Sequence, residues 1–128
     1  MQYSISENRL VKLIKSLFGR KDIPKSLVDS IREKYVNSYL SGLKKTYTER
    51  FRGWTNHTKW DSPDGERMIS VTMKGREGNL INVNEKMITS FSGLLGVSKE
   101  EAINLVINWV RPQIKGGILS YQTFSFGV

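Results

Sequence analysis

Ile69-Ser70-Val71-Thr72-Met73-Lys74, then Gly75-Arg76-Glu77-Gly78, then Leu80-Ile81-Asn82-Val83, is the stretch in which the chain changes period. Ile69, Val71 and Met73 alternate with Ser70, Thr72 and Lys74, as in a strand with one face buried. The glycine-flanked segment turns the chain, and Leu80 to Val83 return as the second strand of a hairpin. On both sides of this hairpin the apolar residues recur at helical spacing instead. The pattern predicts an α+β fold.

Downstream, Asn84 can cap a helix, and Val83 with Ile88 have the spacing of a hydrophobic staple. Met87, Ile88, Phe91, Leu94 and Leu95 form one apolar face, and Gly96 ends it. Ser98 and Glu101 have capping-box spacing for a helix over 99–110. Pro112 and Gly116-Gly117 break the chain before a last strand over 118–126. Upstream, Pro63-Asp64-Gly65 is a strong turn signal, since proline presets one torsion and glycine permits positive φ. It marks the expected boundary between a basic helical segment, 1–55, and a small α+β platform, 67–128. Residues 56–66 read as the turn or linker, and the whole as one compact unit.

Three stretches of the first half fit helices. Over 4–18, Ser4 and Glu7 have capping-box spacing, Leu10, Leu13, Ile14, Leu17 and Phe18 share a face, and Gly19 supplies a stop. A second helix starts near Pro24 and carries Val28, Ile31, Tyr35 and Tyr39 toward Gly42. Beyond Gly42 the spacing persists through Leu43, Tyr47, Phe51 and Trp54. That predicts either a kinked continuation or a third short helix.

Composition narrows the function. The chain has 128 residues, no cysteine and one histidine. Disulfide scaffolds, thiolate metal sites and cysteine nucleophiles are therefore excluded. No leader pattern opens the chain, and no run approaches the ~18 apolar residues of a membrane span. A protein inside the cell, or in a virion, is expected, with no membrane partner. The net charge is +8. Residues 1–60 hold 13 Lys/Arg against 5 Asp/Glu, while residues 61–128 hold 7 of each. Such lopsidedness points to an acidic partner, nucleic acid or an acidic protein surface.

The densest basic stretch is 44–60. Lys44, Lys45, Arg50, Arg52 and Lys59 stand against one acid, Glu49, with Tyr47, Phe51, Trp54 and Trp60 among them. Cations neutralise phosphates and release counterions, and aromatic faces stack on unpaired bases. Lys44, Lys45, Arg50, Arg52 and Lys59, with Trp54 or Trp60 stacking, are the expected nucleic-acid contacts. The competing reading packs Tyr47, Phe51 and Trp54 into the core and leaves the cations in water.

Other constellations are weaker. The Leu95-Gly96-Val97-Ser98 corner, with Ser92 and Ala102, resembles the turn of helix-turn-helix DNA-binding domains. The helix after it begins Lys99-Glu100-Glu101 and is apolar on most sides, which suits burial or an oligomer interface better than a DNA groove. The apolar helix 99–110 and the aromatic strand with Tyr121, Phe124 and Phe126 are expected to form subunit contacts if the chain self-assembles. His57, Asp61, Asp64 and Glu66 cluster, but Pro63 and the spacing defeat an EF-hand. Pro63-Asp64 before a strand is similar to one class of nucleases, yet Thr72 stands where the metal-binding acid belongs, two residues before Lys74. A metal-dependent nuclease is the least implausible enzyme, and a non-enzymatic binding protein without cofactor is the expectation.

The opening Tyr3-Ser4-Ile5-Ser6-Glu7-Asn8-Arg9-Leu10 resembles the start of small uncharacterised accessory proteins of large tailed bacteriophages. The resemblance covers about 15 residues and implies no activity. The roles it implies are virion parts, nucleic-acid accessory proteins or inhibitors of host proteins.

Overall fold

The computed structural model describes residues 23–51, 54–74 and 76–125, with backbone alone at 50, 51 and 54–56. The helix expected over 4–18 lies outside the described residues, as do Arg52 and residues 126–128.

The architecture is α+β, as the change of period predicts. Helix α1 (Lys25–Ser41) follows Pro24, whose carbonyl accepts from the N–H groups of Leu27 and Val28 at 3.0 and 3.3 Å. Tyr35, Val36 and Leu40 are its buried residues, and Gly42 ends it. Strands β1 (Lys44–Phe51), β2 (Trp54–Asp61), β3 (Arg67–Lys74) and β4 (Gly78–Asn84) then form an antiparallel meander. Helices α2 (Glu85–Leu95) and α3 (Lys99–Val110), with the short 3₁₀ turn Arg111–Gln113, carry the chain back. Strand β5 (Ile118–Phe124) pairs parallel to β4, completing a five-stranded sheet in sequence order.

Residues 44–61 correct the helical reading. They form a β-hairpin, so the helical part of the first half ends, among the described residues, at Ser41. The reason is local. Thr46, Tyr47 and Thr48 are β-branched or aromatic, types that fit a pleated surface better than a helix. The stretch 56–66 is corrected in part. Residues 56–61 belong to β2, and only Ser62–Glu66 turns. That turn is closed by Ser62 N–H on the Glu66 carbonyl at 2.8 Å and Gly65 N–H on the Ser62 carbonyl at 2.9 Å. It joins neighbouring strands of one sheet, so β2 and β3 pair straight across the expected boundary.

The two later helices start where their caps predict. Asn84 Oδ1 accepts from Met87 N–H at 3.1 Å. Ser98 Oγ accepts from Glu101 N–H at 3.0 Å, and Glu101 Oε1 accepts from Ser98 N–H at 3.5 Å. Gly96 ends α2 in the left-handed region at φ 67°, and the Ser92 hydroxyl donates to the Val97 carbonyl at 2.6 Å.

Side-chain alternation gives the sheet one apolar face. Trp60, Ile69 and Val83 lie side by side in register, and Val71 and Ile81 form the next row with Thr58. These residues join Phe91, Leu95, Val106 and Val110 from the helices in one core. Tyr35 and Tyr39 of α1 meet Phe91 edge-on, at centroid distances of 6.0 and 5.2 Å. Arg32 Nε donates to the Leu95 carbonyl at 2.9 Å, tying α1 to the end of α2.

The apolar side of α3 is thus spent inside the molecule. Ala102, Ile103, Val106, Ile107 and Val110 are all buried. Burial is thus the alternative that the structure shows for the apolar side of 99–110. Its apolar residues serve the core.

Candidate functional site

Lys44, Lys45, Arg50 and Lys59, singled out in the sequence, lie on strands β1 and β2. Lys44 and Lys45 are exposed on β1, and Lys59 is half-buried on β2. Register divides them between two faces. Lys45 is opposite Trp60 on the side covered by helices, whereas Lys59 is opposite Thr46 on the other side. Lys44 pairs with Asp61 and shares the face of Lys59. Arg50 stands opposite Thr55, and Trp54 opens β2 opposite Phe51. The side-chain placements of Arg50 and Trp54, and all of Arg52, lie outside the described residues.

Trp60 is corrected. It is 1% exposed, so its ring is closed to a stacking base. It packs edge-on against Trp109 of α3, with centroids 5.7 Å apart. Lys45 Nζ sits 5.6 Å from the centroid of the Trp60 ring, within cation–π range. The indole therefore anchors the hairpin to the core and holds an exposed cation in place. Among the described aromatics of the hairpin, Tyr47 is exposed, at 58%.

Three carboxylates of the described residues are in ion pairs with other cations. Asp61 meets Arg67 at 3.2 Å, Glu66 meets Lys86 at 3.3 Å, and Asp29 meets Arg32 at 3.3 Å. None of these ion pairs involves Lys44, Lys45 or Lys59. Asp64 is held below the ordinary carboxylate range, chiefly by the Ser62 hydroxyl and then by the Glu66 N–H. Among the described residues, no three His, Asp or Glu side chains converge on a metal position. The expected His57, Asp61, Asp64 and Glu66 cluster is dispersed: two carboxylates hold cations, one closes a turn, and His57 is buried in β2. Burial pushes the His57 imidazole below its usual value, and the nearby Arg67 and Lys59 charges push the same way.

Beside Tyr47 the helix-side face opens into a cavity of about 330 Å³. Lys45 and Tyr47 lie on one side of it and Ile114 and Lys115 on the other, with Val71 and Met73 among the lining residues. Lys115 escapes sequence reasoning because it lies about 70 residues from Lys45 in the chain. Only the crossover from α3 to β5 brings it there. No pattern of spacing carries that signal.

No family model matches the chain, and neither a curated protein nor a solved structure matches it. The functional reading rests on the hairpin and the cavity. No helix among the described residues is long and apolar enough to cross a membrane.

Proposed function

We propose that this chain is a small, basic, non-enzymatic binding protein that contacts single-stranded nucleic acid through its β1–β2 hairpin. The observation that carries the reading is the hairpin's charge. Lys44, Lys45 and Lys59 lie on two adjacent strands, and none of the ion pairs among the described residues takes up one of them. Tyr47 supplies an exposed ring on the face that carries Lys45. A single strand fits this surface better than a duplex. Its backbone can follow a narrow hairpin, and its bases can stack on an exposed aromatic.

The test is fluorescence anisotropy with a labelled 20-nucleotide single strand. If Lys44, Lys45, Arg50, Arg52 and Lys59 each neutralise one phosphate, affinity falls roughly 100-fold between 50 and 200 mM salt. Changing Lys44, Lys45 and Lys59 together to Gln flattens that slope. Absence of binding at 50 mM salt overturns the reading.

A second reading is self-assembly, as a structural or interaction component, and β5 favours it. This edge strand has no charged residue, and its Leu119 and Tyr121 are exposed at 48% and 44%. Uncharged edges invite pairing with another strand. Light scattering at high protein concentration separates the two readings, since a strict monomer removes the second.

A further inference from the structure

The cavity beside Tyr47 has a preformed wall. Asn79, 3% exposed on β4, donates its side-chain amide to the carbonyls of Lys115 and Gly117 at 2.7 and 2.9 Å. Its backbone N–H also donates to the Gly117 carbonyl at 2.9 Å. Gln113 Nε2 donates to the Trp109 carbonyl at 3.0 Å, fixing the other end of the segment. Gly116 takes φ +82°, and a Cβ there meets Asn79 Nδ2 and Met73 Cε at 3.5 Å. The loop bearing Ile114 and Lys115 is therefore latched to the sheet before any ligand arrives, so little ordering is left for binding to cost.

The lining has a definite chemistry. Val71, Met73 and Ile114 are apolar, Lys45 and Lys115 are cationic, and no carboxylate stands among the described lining residues. Tyr47, Thr58 and Val71 stand in one cross-strand row, so an aromatic ring, a hydroxyl and an apolar surface follow one another across three strands. The volume lies at the lower end of the range of small-molecule sites. A ligand that suits it is small and anionic, with a flat body and hydrogen-bonding edges.

We propose that this cavity receives one nucleotide of the bound strand, its base against Val71, Met73 and Ile114 beside the Tyr47 ring and its phosphate at Lys45 and Lys115. The proposal rests on the nucleic-acid reading above and gives it a position where one base is singled out from the strand. The carboxylate-free lining favours the phosphate, and the apolar patch favours the base over a bare inorganic anion.

Calorimetric titration of the full chain with thymidine or adenosine monophosphate tests the cavity alone. Binding in the micromolar to low millimolar range is expected, with the free nucleoside and inorganic phosphate each at least tenfold weaker. Lys115→Gln should weaken mononucleotide binding about fivefold or more, and Lys99→Gln, on an exposed helix start outside the cavity, should leave it unchanged. Ile114→Trp should fill the space, abolish mononucleotide binding and lower single-strand affinity about tenfold. Because Ile114 is half-buried, the exposed Lys115 carries the same comparison without risk to folding. No mononucleotide binding, together with single-strand binding unaffected by Lys115→Gln, overturns the cavity proposal and leaves the hairpin reading standing. Mononucleotide binding without single-strand binding overturns the hairpin reading and leaves the cavity as a nucleotide site.

Discussion

Trp60 shows how one residue changes the meaning of its neighbours. In the sequence it sits beside Lys59 in a basic stretch, where an indole suggests stacking on a base. In the fold it is buried between the sheet and Trp109, and its own ring is what Lys45 rests on. Trp60→Ala should destabilise the protein by about 3–5 kcal/mol, measured by urea unfolding. Loss of nucleic-acid binding without loss of stability in that variant contradicts the assignment. His57 gives a pH signature. Its folded form favours the neutral imidazole, so as the pH falls the unfolded chain takes up a proton first. Stability is full above the ordinary histidine value of 6.5 and declines as the pH drops from there toward the lower value of the folded state. Asp64, also shifted downward, adds a loss below the ordinary carboxylate value of 3.8. The urea midpoint should therefore be lower at pH 5 than at pH 7, and His57→Gln should flatten that difference.

At the level of elements, the parts governed by local chemistry were legible. Asn84, Ser98 with Glu101, and Gly96 mark the ends of α2 and α3 where the sequence predicts them. Ser98→Ala should cost about 1 kcal/mol in thermal or urea unfolding, since it leaves a first-turn N–H without its acceptor. The hairpin over 44–61 was not legible as such. Tyr47 and Phe51 are four apart, and a spacing of four lies on one face of a helix and equally on one face of a strand. Lys45, Tyr47, Glu49 and Phe51 alternate with Lys44, Thr46, Thr48 and Arg50, but neither set is uniformly apolar. The period-2 signal is therefore faint. Threonine content and the glycines at 42 and 53 were the better guides.

At the scale of the molecule, the two sheet edges differ in chemistry. β1 carries Lys44, Lys45, Glu49 and Arg50, charges that discourage another strand from pairing there. β5 carries none. If the chain self-associates, contact should run through β5, and Tyr121→Lys should return it to a monomer by light scattering while leaving the nucleic-acid binding proposed for the far edge unchanged. The charge imbalance between halves of the sequence was legible, and part of it falls on β1 and β2. The cavity was not, because it depends on register and on a crossover that brings 113–115 to β1. Spacing along a chain cannot report either one.

The parallel pairing of β4 with β5 has a consequence for assembly in time. Asn79 is partnered with Ile118, and Asn84 with Phe124, so some forty residues must already be in place before this last ladder can zip. The meander of β1 to β4 joins only near neighbours and should organise first; strand five, and with it the Asn79 latch on the cavity wall, should arrive late. Amide protons along 118–124 should then gain protection after those of β2 and β3 in a pulse-labelled refolding experiment, leaving an interval in which the meander exists and the pocket does not.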